Sequence, residues 1–418
     1  MNNWYLPNGH IFLKGRLQQQ ALLIKDGKIA AFGAQAEKES KALGDQLRIF
    51  DAKDCIVSRG FIDLHVHLRE PGEEIKETIA SGSKAAARGG FTSIYAMPNT
   101  NPPLDSLERL HDFQQRLDEA YVHVHPIACL SKNRQGEELV DYASLAKAGV
   151  KLFSDDGDPA TEEILVSSMR ELAKIDGVFI NHLEDKSMTK GGQFHKDIPA
   201  ESEYLMLERD LKIVEQTGCR YHAAHLSCWQ SVELIRQAKA KGLPVTAEVT
   251  PHHLLLTYND IKDPKGYYQM KPPLRTYEDQ EALIKGLADG TINCIATDHA
   301  PHGRVKDRGF SPQSPFGITG LETAFASLYS GLVLTGRLSL LRLLEALTIS
   351  PAQICNESYD LTIGEPADVV VVNLKKQGKI GKEEFYSKGT NSPFSNQVFT
   401  GWTMLTLNSG EESYNGTI

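Results

Sequence analysis

The segment Asp63-Leu64-His65-Val66-His67 carries two imidazoles, two residues apart, in an apolar context. On an extended strand alternate side chains share one face, so His65 and His67 point the same way and can grip one metal ion. Neutral imidazole suits zinc and other borderline divalent ions. For an isolated pair the plainer reading is two hydrogen-bonded histidines closing a strand. Asp63 shares their face, where it either orients a ligand imidazole or caps the end of the sheet. Further ligand types close other apolar runs. His182 ends Val178-Phe179-Ile180-Asn181-His182, His225 ends Tyr221-His222-Ala223-Ala224-His225, and Asp298 lies in Ala296-Thr297-Asp298-His299-Ala300-Pro301-His302. Any one of them alone is more often structural than a ligand. Four histidines and an aspartate at strand ends that meet in space make a metal site.

The elements that would bring them together recur as a strand followed by a helical stretch, from about residue 56 to about 350. Expected strands are 61–67, 92–99, 122–130, 150–155, 177–183, 221–227, 245–251 and 294–300, each a short apolar or β-branched run ending in polar residues. Amphipathic helices are expected at 77–88, 106–119, 161–175, 201–215, 231–241 and 278–287. This alternation predicts an α/β fold, a (β/α)8 TIM barrel, whose strand C-termini converge on one mouth. An open doubly wound sheet is the competing arrangement, weakened because no glycine-rich phosphate loop follows the first strand.

The two ends read differently. Runs 21–24 and 28–32 flank Asp26-Gly27, a hairpin signal, and 367–372 and 402–407 repeat the style before a Ser409-Gly410 turn. Neither end has the apolar residues for a core of its own. Residues 1–55 and 356–418 are therefore expected to pair as a small β-sandwich beside a barrel of residues 56–355.

Bulk composition narrows the function. With 41% apolar and 24% charged residues the chain is an ordinary globular sequence, and its formal net charge of −9 argues against a nucleic-acid binder. An anionic small substrate stays compatible with a locally positive site. No run approaches the roughly 18 apolar residues of a membrane helix. Met1-Asn2-Asn3-Trp4-Tyr5 is not the start of a basic-then-apolar leader. The six cysteines form no CxxC pair, which suits reduced thiols in a cytoplasmic protein.

On this framework stand His65-Val66-His67-Leu68-Arg69-Glu70-Pro71-Gly72, Met97-Pro98-Asn99-Thr100, Glu248-Val249-Thr250-Pro251-His252-His253, Thr297-Asp298-His299-Ala300-Pro301-His302 and Pro315-Phe316-Gly317-Ile318. In these segments, and over nearly its whole length, the chain resembles the dihydroorotase family of the amidohydrolase superfamily, in its long bacterial form. The resemblance implies reversible cyclisation of N-carbamoyl-L-aspartate to L-dihydroorotate, a step of de novo pyrimidine biosynthesis. It implies two divalent metal ions per chain, zinc being the metal expected, held by His65, His67, Asp156, His182, His225 and Asp298. Asp156 and a metal-bound hydroxide would bridge them, with Asp298 acting as general base and then acid. Arg69 can offer a planar bidentate fork to the substrate's α-carboxylate; by resemblance Asn99 and His302 complete that site. A homodimer is expected, and aspartate carbamoyltransferase is the partner enzyme the resemblance raises. The rival readings are another cyclic amidohydrolase (hydantoinase or allantoinase) and a non-catalytic homologue that partners aspartate carbamoyltransferase.

Within Val150-Lys151-Leu152-Phe153-Ser154-Asp155-Asp156-Gly157 two bridging solutions compete: a carboxylated Lys151, or Asp156 of the Asp-Asp-Gly turn. Strand parity does not separate them, because the turn interrupts the alternation. Asp156 is the closer match and is taken as the bridge, with Asp155 and Asp158 as ordinary turn residues. Lys271 stands where many relatives have asparagine, so it either contacts substrate or pairs with a neighbouring acid. His222, His252 and His253 are expected to be structural neighbours of the mouth. Segment 302–316, rich in Gly, Pro, Ser and charge, is expected to be a mobile active-site loop.

Overall fold

The computed structural model describes residues 2–158, 160–262, 265–303 and 315–417. Most of the expected loop at 302–316 lies outside the described residues. The eight expected strands form as Phe61–Val66, Phe91–Ala96, His123–Ala128, Leu152–Phe153, Val178–Asn181, Arg220–Ala223, Val245–Val249 and Cys294–Ile295. They pair in chain order, each parallel to the next. The ring closes where Val66 bridges His299 in parallel and the His67 amide donates to the His299 carbonyl at 2.9 Å. This is the (β/α)8 barrel. Most strands are shorter than expected because the chain leaves the ladder where its polar residues begin. His67, Asp156, His182, His225 and Asp298 all lie just past the last paired residue of their strand.

The helices start where side chains can satisfy the free N–H groups of a first turn. Thr78 and Ser81 form a reciprocal capping box at the start of Ile79–Gly89, which ends at Gly90 with φ 92°. Thr161 caps Glu162–Lys174, whose Leu165, Met169 and Leu172 fall on one buried stripe. Each such buried leucine contributes about 1.5–3 kcal/mol of transfer free energy.

The ends build two sheets. One holds Lys28–Phe32, Leu22–Lys25, Trp4–Leu6 and Arg48–Ile49; the other holds Glu411–Asn415, Phe399–Asn408, Val369–Gly378, Cys55–Arg59, His10–Leu13 and Arg16–Gln19. Leu6, Leu22, Ile24 and Ile29 of the first pack against Ile11, Val57, Val369, Val371, Leu405 and Leu407 of the second. That is the expected β-sandwich. The alternate residues Phe12, Ile56, Val370 and Val372 face the other way and join the barrel's core cluster. Period-two alternation thus gives the larger sheet two buried faces and fixes the sandwich to the barrel. The Trp4 indole N–H donates to the Gly410 carbonyl at 3.0 Å, tying the two chain ends together. All six cysteines are buried and free, and among the described residues no helix is long and apolar enough to cross a membrane.

Candidate metal centre

Asp63, His65 and His67 leave the first strand on one face, as the alternation requires, and all three are buried. Asp63 does not touch an imidazole. Its carboxylate accepts from the His65 amide at 3.1 Å, the Thr297 amide at 3.1 Å and the Thr297 hydroxyl at 2.6 Å, so it clamps the first strand to the eighth. Of the two readings open for Asp63, orienting a ligand imidazole or capping the sheet, these contacts fit the second. Its place is taken by Glu248, whose Oε1 lies 2.8 Å from His65 Nδ1.

The expected ligand residues converge. His65 Nε2 lies 3.4 Å from Asp156 Oδ1 and 3.5 Å from Asp298 Oδ1. His67 Nε2 is 3.1 Å from Asp298 Oδ1 and 3.7 Å from Asp156 Oδ2. On the other side His182 Nδ1 is 3.5 Å from Asp156 Oδ1 and 2.9 Å from His225 Nε2. Asp156 therefore stands between the His65–His67–Asp298 trio and the His182–His225 pair. His225 and Asp298 hold left-handed backbone, with φ 30° and 47°; such strain costs about 1–3 kcal/mol per residue and concentrates at functional sites.

The electrostatics follow from burial and these contacts. Burial pushes the Asp298 carboxyl up, yet the imidazoles of His65, His67 and His225 outweigh it and hold it below the usual range. Asp156 is likewise raised by burial and brought well below its ordinary value by His182 and His65. For His182 burial favours the neutral ring, but Asp156 and Glu184 raise it to about 9. His225, buried and facing His182 and His65, is pushed down to about 3.

The donor set fits divalent ions. His65 Nε2 and His225 Nδ1 are buried without a hydrogen-bond partner. With His65 Nδ1 committed to Glu248, Nε2 turns a lone pair toward two carboxylate oxygens. Acceptors gathered in this way need a cation between them. Ligand atoms of His65, His67 and Asp298, and of His65, Asp156 and His225, each lie within 4.8 Å of one another. Lys151 takes no part: it precedes the fourth strand at the end opposite the mouth, its ammonium 3.8 Å from Glu357.

A cleft of about 310 Å³ opens above the ligands, lined by Arg69, Asn99, Lys186, Lys271, Asp298 and His302 among others. Arg69 Nε is buried without a hydrogen-bond partner. The Asn99 carboxamide is used within the protein: Oδ1 accepts from His67 Nδ1 at 2.9 Å and Nδ2 donates to Asp156 Oδ2 at 3.0 Å. The His302 amide donates to Asn391 Oδ1 at 3.1 Å, and its ring reaches the Phe316 carbonyl. Gly317 lets this segment pass so close, since a Cβ there would lie 2.5 Å from the Ala300 side chain at φ 124°. Lys271 pairs with Glu184 at 2.5 Å while still lining the cleft. A second cavity of about 170 Å³ behind the loops of Arg69 and Asn99 contains none of the ligand residues.

The remaining expectations divide. Asp155 accepts from the amides of Leu130 at 2.8 Å and Ser131 at 3.1 Å, pinning the loop after the third strand. Asp158 is more than a turn residue: it pairs with Arg134 and, at 2.7 Å, with Lys186. His222 bonds to Thr246 and Glu248, and His253 to Thr250 and the Pro272 carbonyl. Sequence reasoning assigned no role to Glu248 or Glu184. For Glu248 the available signal was an acid alternating with Val245, Ala247 and Val249 in a buried strand.

The comparisons with known proteins agree with this geometry. A family model described as dihydro-orotase-like matches residues 55–231. Proteins named dihydroorotase are 44% identical in Staphylococcus epidermidis, over 97% of this chain and 98% of that one, and 43% identical in a Geobacillus species, over 97% of each. Among solved structures, an L-hydantoinase (dihydropyrimidinase) from Arthrobacter aurescens superimposes with a TM-score of 0.89 at 26% identity, over 99% of this chain and 96% of that one. A D-hydantoinase superimposes with a TM-score of 0.87 at 24% identity, which speaks for the fold alone. Full-length identity of this size, on a barrel that gathers these side chains at one mouth, places the chain in the dihydroorotase family.

Proposed function

We propose that this chain interconverts N-carbamoyl-L-aspartate and L-dihydroorotate, the ring-closing step of de novo pyrimidine biosynthesis. The observation that carries the reading is Asp156 placed between two groups of ligand-type side chains, beneath a cleft that presents Arg69. His65, His67, Asp156 and Asp298 would hold one divalent ion, and Asp156, His182 and His225 a second, zinc being the metal proposed. Bound there, such ions lower the pKa of a water molecule and polarise an amide carbonyl.

In the hydrolytic direction the oxygen of water adds to the ring amide carbon and the carbon–nitrogen bond breaks. Asp298 takes the proton of that water and delivers it to the departing ring nitrogen. In ring closure Asp298 takes the proton of the ureido nitrogen as it attacks the side-chain carboxylate carbon and delivers it to the departing carboxylate oxygen, which leaves as water with a second proton taken from solvent. The guanidinium of Arg69 receives the α-carboxylate, its Nε having no hydrogen-bond partner among the described residues. Asn99 holds His67 and Asp156 in register from the edge of the cleft, and His302 closes the carboxylate side.

The proposal extends to residues 1–55 with 356–418 as one unit and 56–355 as the other, with the strand Cys55–Arg59 crossing that boundary into the sandwich sheet, to a cytoplasmic enzyme, to a homodimer, and to association with aspartate carbamoyltransferase. Family membership supports the last three. Sedimentation with and without added aspartate carbamoyltransferase tests the assembly. The substrate is tested by offering dihydroorotate, hydantoin and allantoin to the same preparation. Preferential turnover of dihydroorotate is expected; preference for either of the others would replace this reading with that of the corresponding amidase.

A further inference from the structure

We infer that Glu248 is a positioning residue of the metal centre, acting on His65 and His225 at once and itself held by His222. The inference rests on the metal reading above. Glu248 leaves the strand Val245–Val249 toward the barrel interior and is fully buried. Its Oε1 is 2.8 Å from His65 Nδ1 and 3.3 Å from the His225 amide, and its Oε2 is 3.0 Å from His222 Nε2. A carboxylate only accepts, so both ring nitrogens facing it carry hydrogen.

Two consequences follow for the ligands. The His65 tautomer is set with its lone pair on Nε2, toward Asp156 and Asp298. The His225 backbone, at φ 30°, is tethered through its amide in a conformation it would otherwise leave. His222 completes the arrangement, because its Nδ1 lies 2.8 Å from Thr246 Oγ1 and fixes the ring that fixes the acid. A carboxylate behind a ligand histidine sets both ring orientation and basicity, and losing it typically weakens metal binding about 10–100-fold.

The same acid could instead belong to a third ion, since ligand atoms of His222, Glu248 and Cys294 also lie within 4.8 Å of one another. Both oxygens of Glu248 are already receiving hydrogens, however, and burial pushes the Cys294 thiol well above its ordinary value, away from the thiolate a metal needs. The hydrogen-bonded arrangement is the one the contacts favour.

The test is Glu248→Gln, which keeps the shape but cannot serve both imidazoles unchanged. Zinc affinity is measured on folded protein by competition with a chromophoric chelator, and the cobalt-substituted form is examined by visible absorption. We expect zinc affinity to fall about tenfold or more and the cobalt bands to shift, with His222→Gln showing the same changes to a smaller degree. A merely structural role would lower the melting midpoint of the metal-free protein while leaving zinc affinity and the cobalt spectrum untouched; that result overturns the inference, as does a third bound ion in the unmodified protein. If the unmodified chain binds no divalent ion, the metal reading itself fails, which is a different outcome.

Discussion

Oδ1 of Asp298 lies 3.1 Å from Nε2 of His67, so the residue assigned to carry the proton is built into the ligand set and also lines the cleft. This double duty makes a specific prediction. Asp298→Asn keeps a coordinating oxygen but cannot shuttle a proton. Metal content should stay near the unmodified value while turnover falls roughly 10²-fold or more. Hydrolysis and ring closure should fall together, since one group serves both directions. Near-normal turnover with metal retained would move the proton carrier elsewhere.

Asp156 and Lys151 are separated by their positions at opposite ends of the fourth strand. Asp156→Ala should lose bound metal and most activity. Lys151→Ala should keep both, its ammonium sitting 3.8 Å from Glu357 instead. Bicarbonate-dependent activity abolished by Lys151→Ala is the result that contradicts the assignment.

Arg69→Met tests substrate recognition. A charge-assisted hydrogen-bonded pair contributes about 1.5–3 kcal/mol, so kcat/KM should fall roughly 10- to 150-fold, carried mainly by KM, with metal content unchanged. A fall in kcat alone would show that Arg69 acts on the chemistry and not on binding.

Glu322, which is not among the ligand residues, gives a pH prediction. Burial raises the Glu322 carboxyl to about 7, against the Arg88 guanidinium and the amides of Ser387 and Tyr386. Between its unfolded value of 4.5 and about 7 the folded protein holds the extra proton. The stabilising contribution is therefore complete below 4.5 and is lost as pH rises through 7. Glu322→Gln removes this dependence. Relative to the unmodified chain, the variant should gain of order 1–3 kcal/mol in going from pH 4.5 to 8, read from denaturant midpoints. A difference independent of pH would show that Glu322 is ionised throughout.

How far the sequence carries can be judged at particular residues. His65 and His67 were legible because strand parity alone puts them on one face, and the eight strands were legible because each apolar run ends at a polar change. Asp156 was not fixed by parity, since the Asp-Asp-Gly turn breaks the alternation that would aim it. Glu248 lay inside a quoted motif, yet its contact with His65 spans 183 positions; it arises only when the barrel closes and brings the seventh strand across from the first. Asn99 shows the same limit. By resemblance it was expected beside the α-carboxylate, while its contacts with His67 and Asp156 were not legible in the sequence. Lys271 resolves into a residue that both pairs with Glu184 and faces the cleft.

On this reading the six converging side chains hold metal ions that drive the ring chemistry. The most direct test of the reading follows dihydroorotate hydrolysis and N-carbamoyl-L-aspartate cyclisation in one preparation, before metal removal, after it, and after zinc is restored. About two ions per chain are expected, with loss of both activities on removal while circular dichroism shows the fold kept, and recovery of both on reloading. Full activity in rigorously metal-free protein would contradict it.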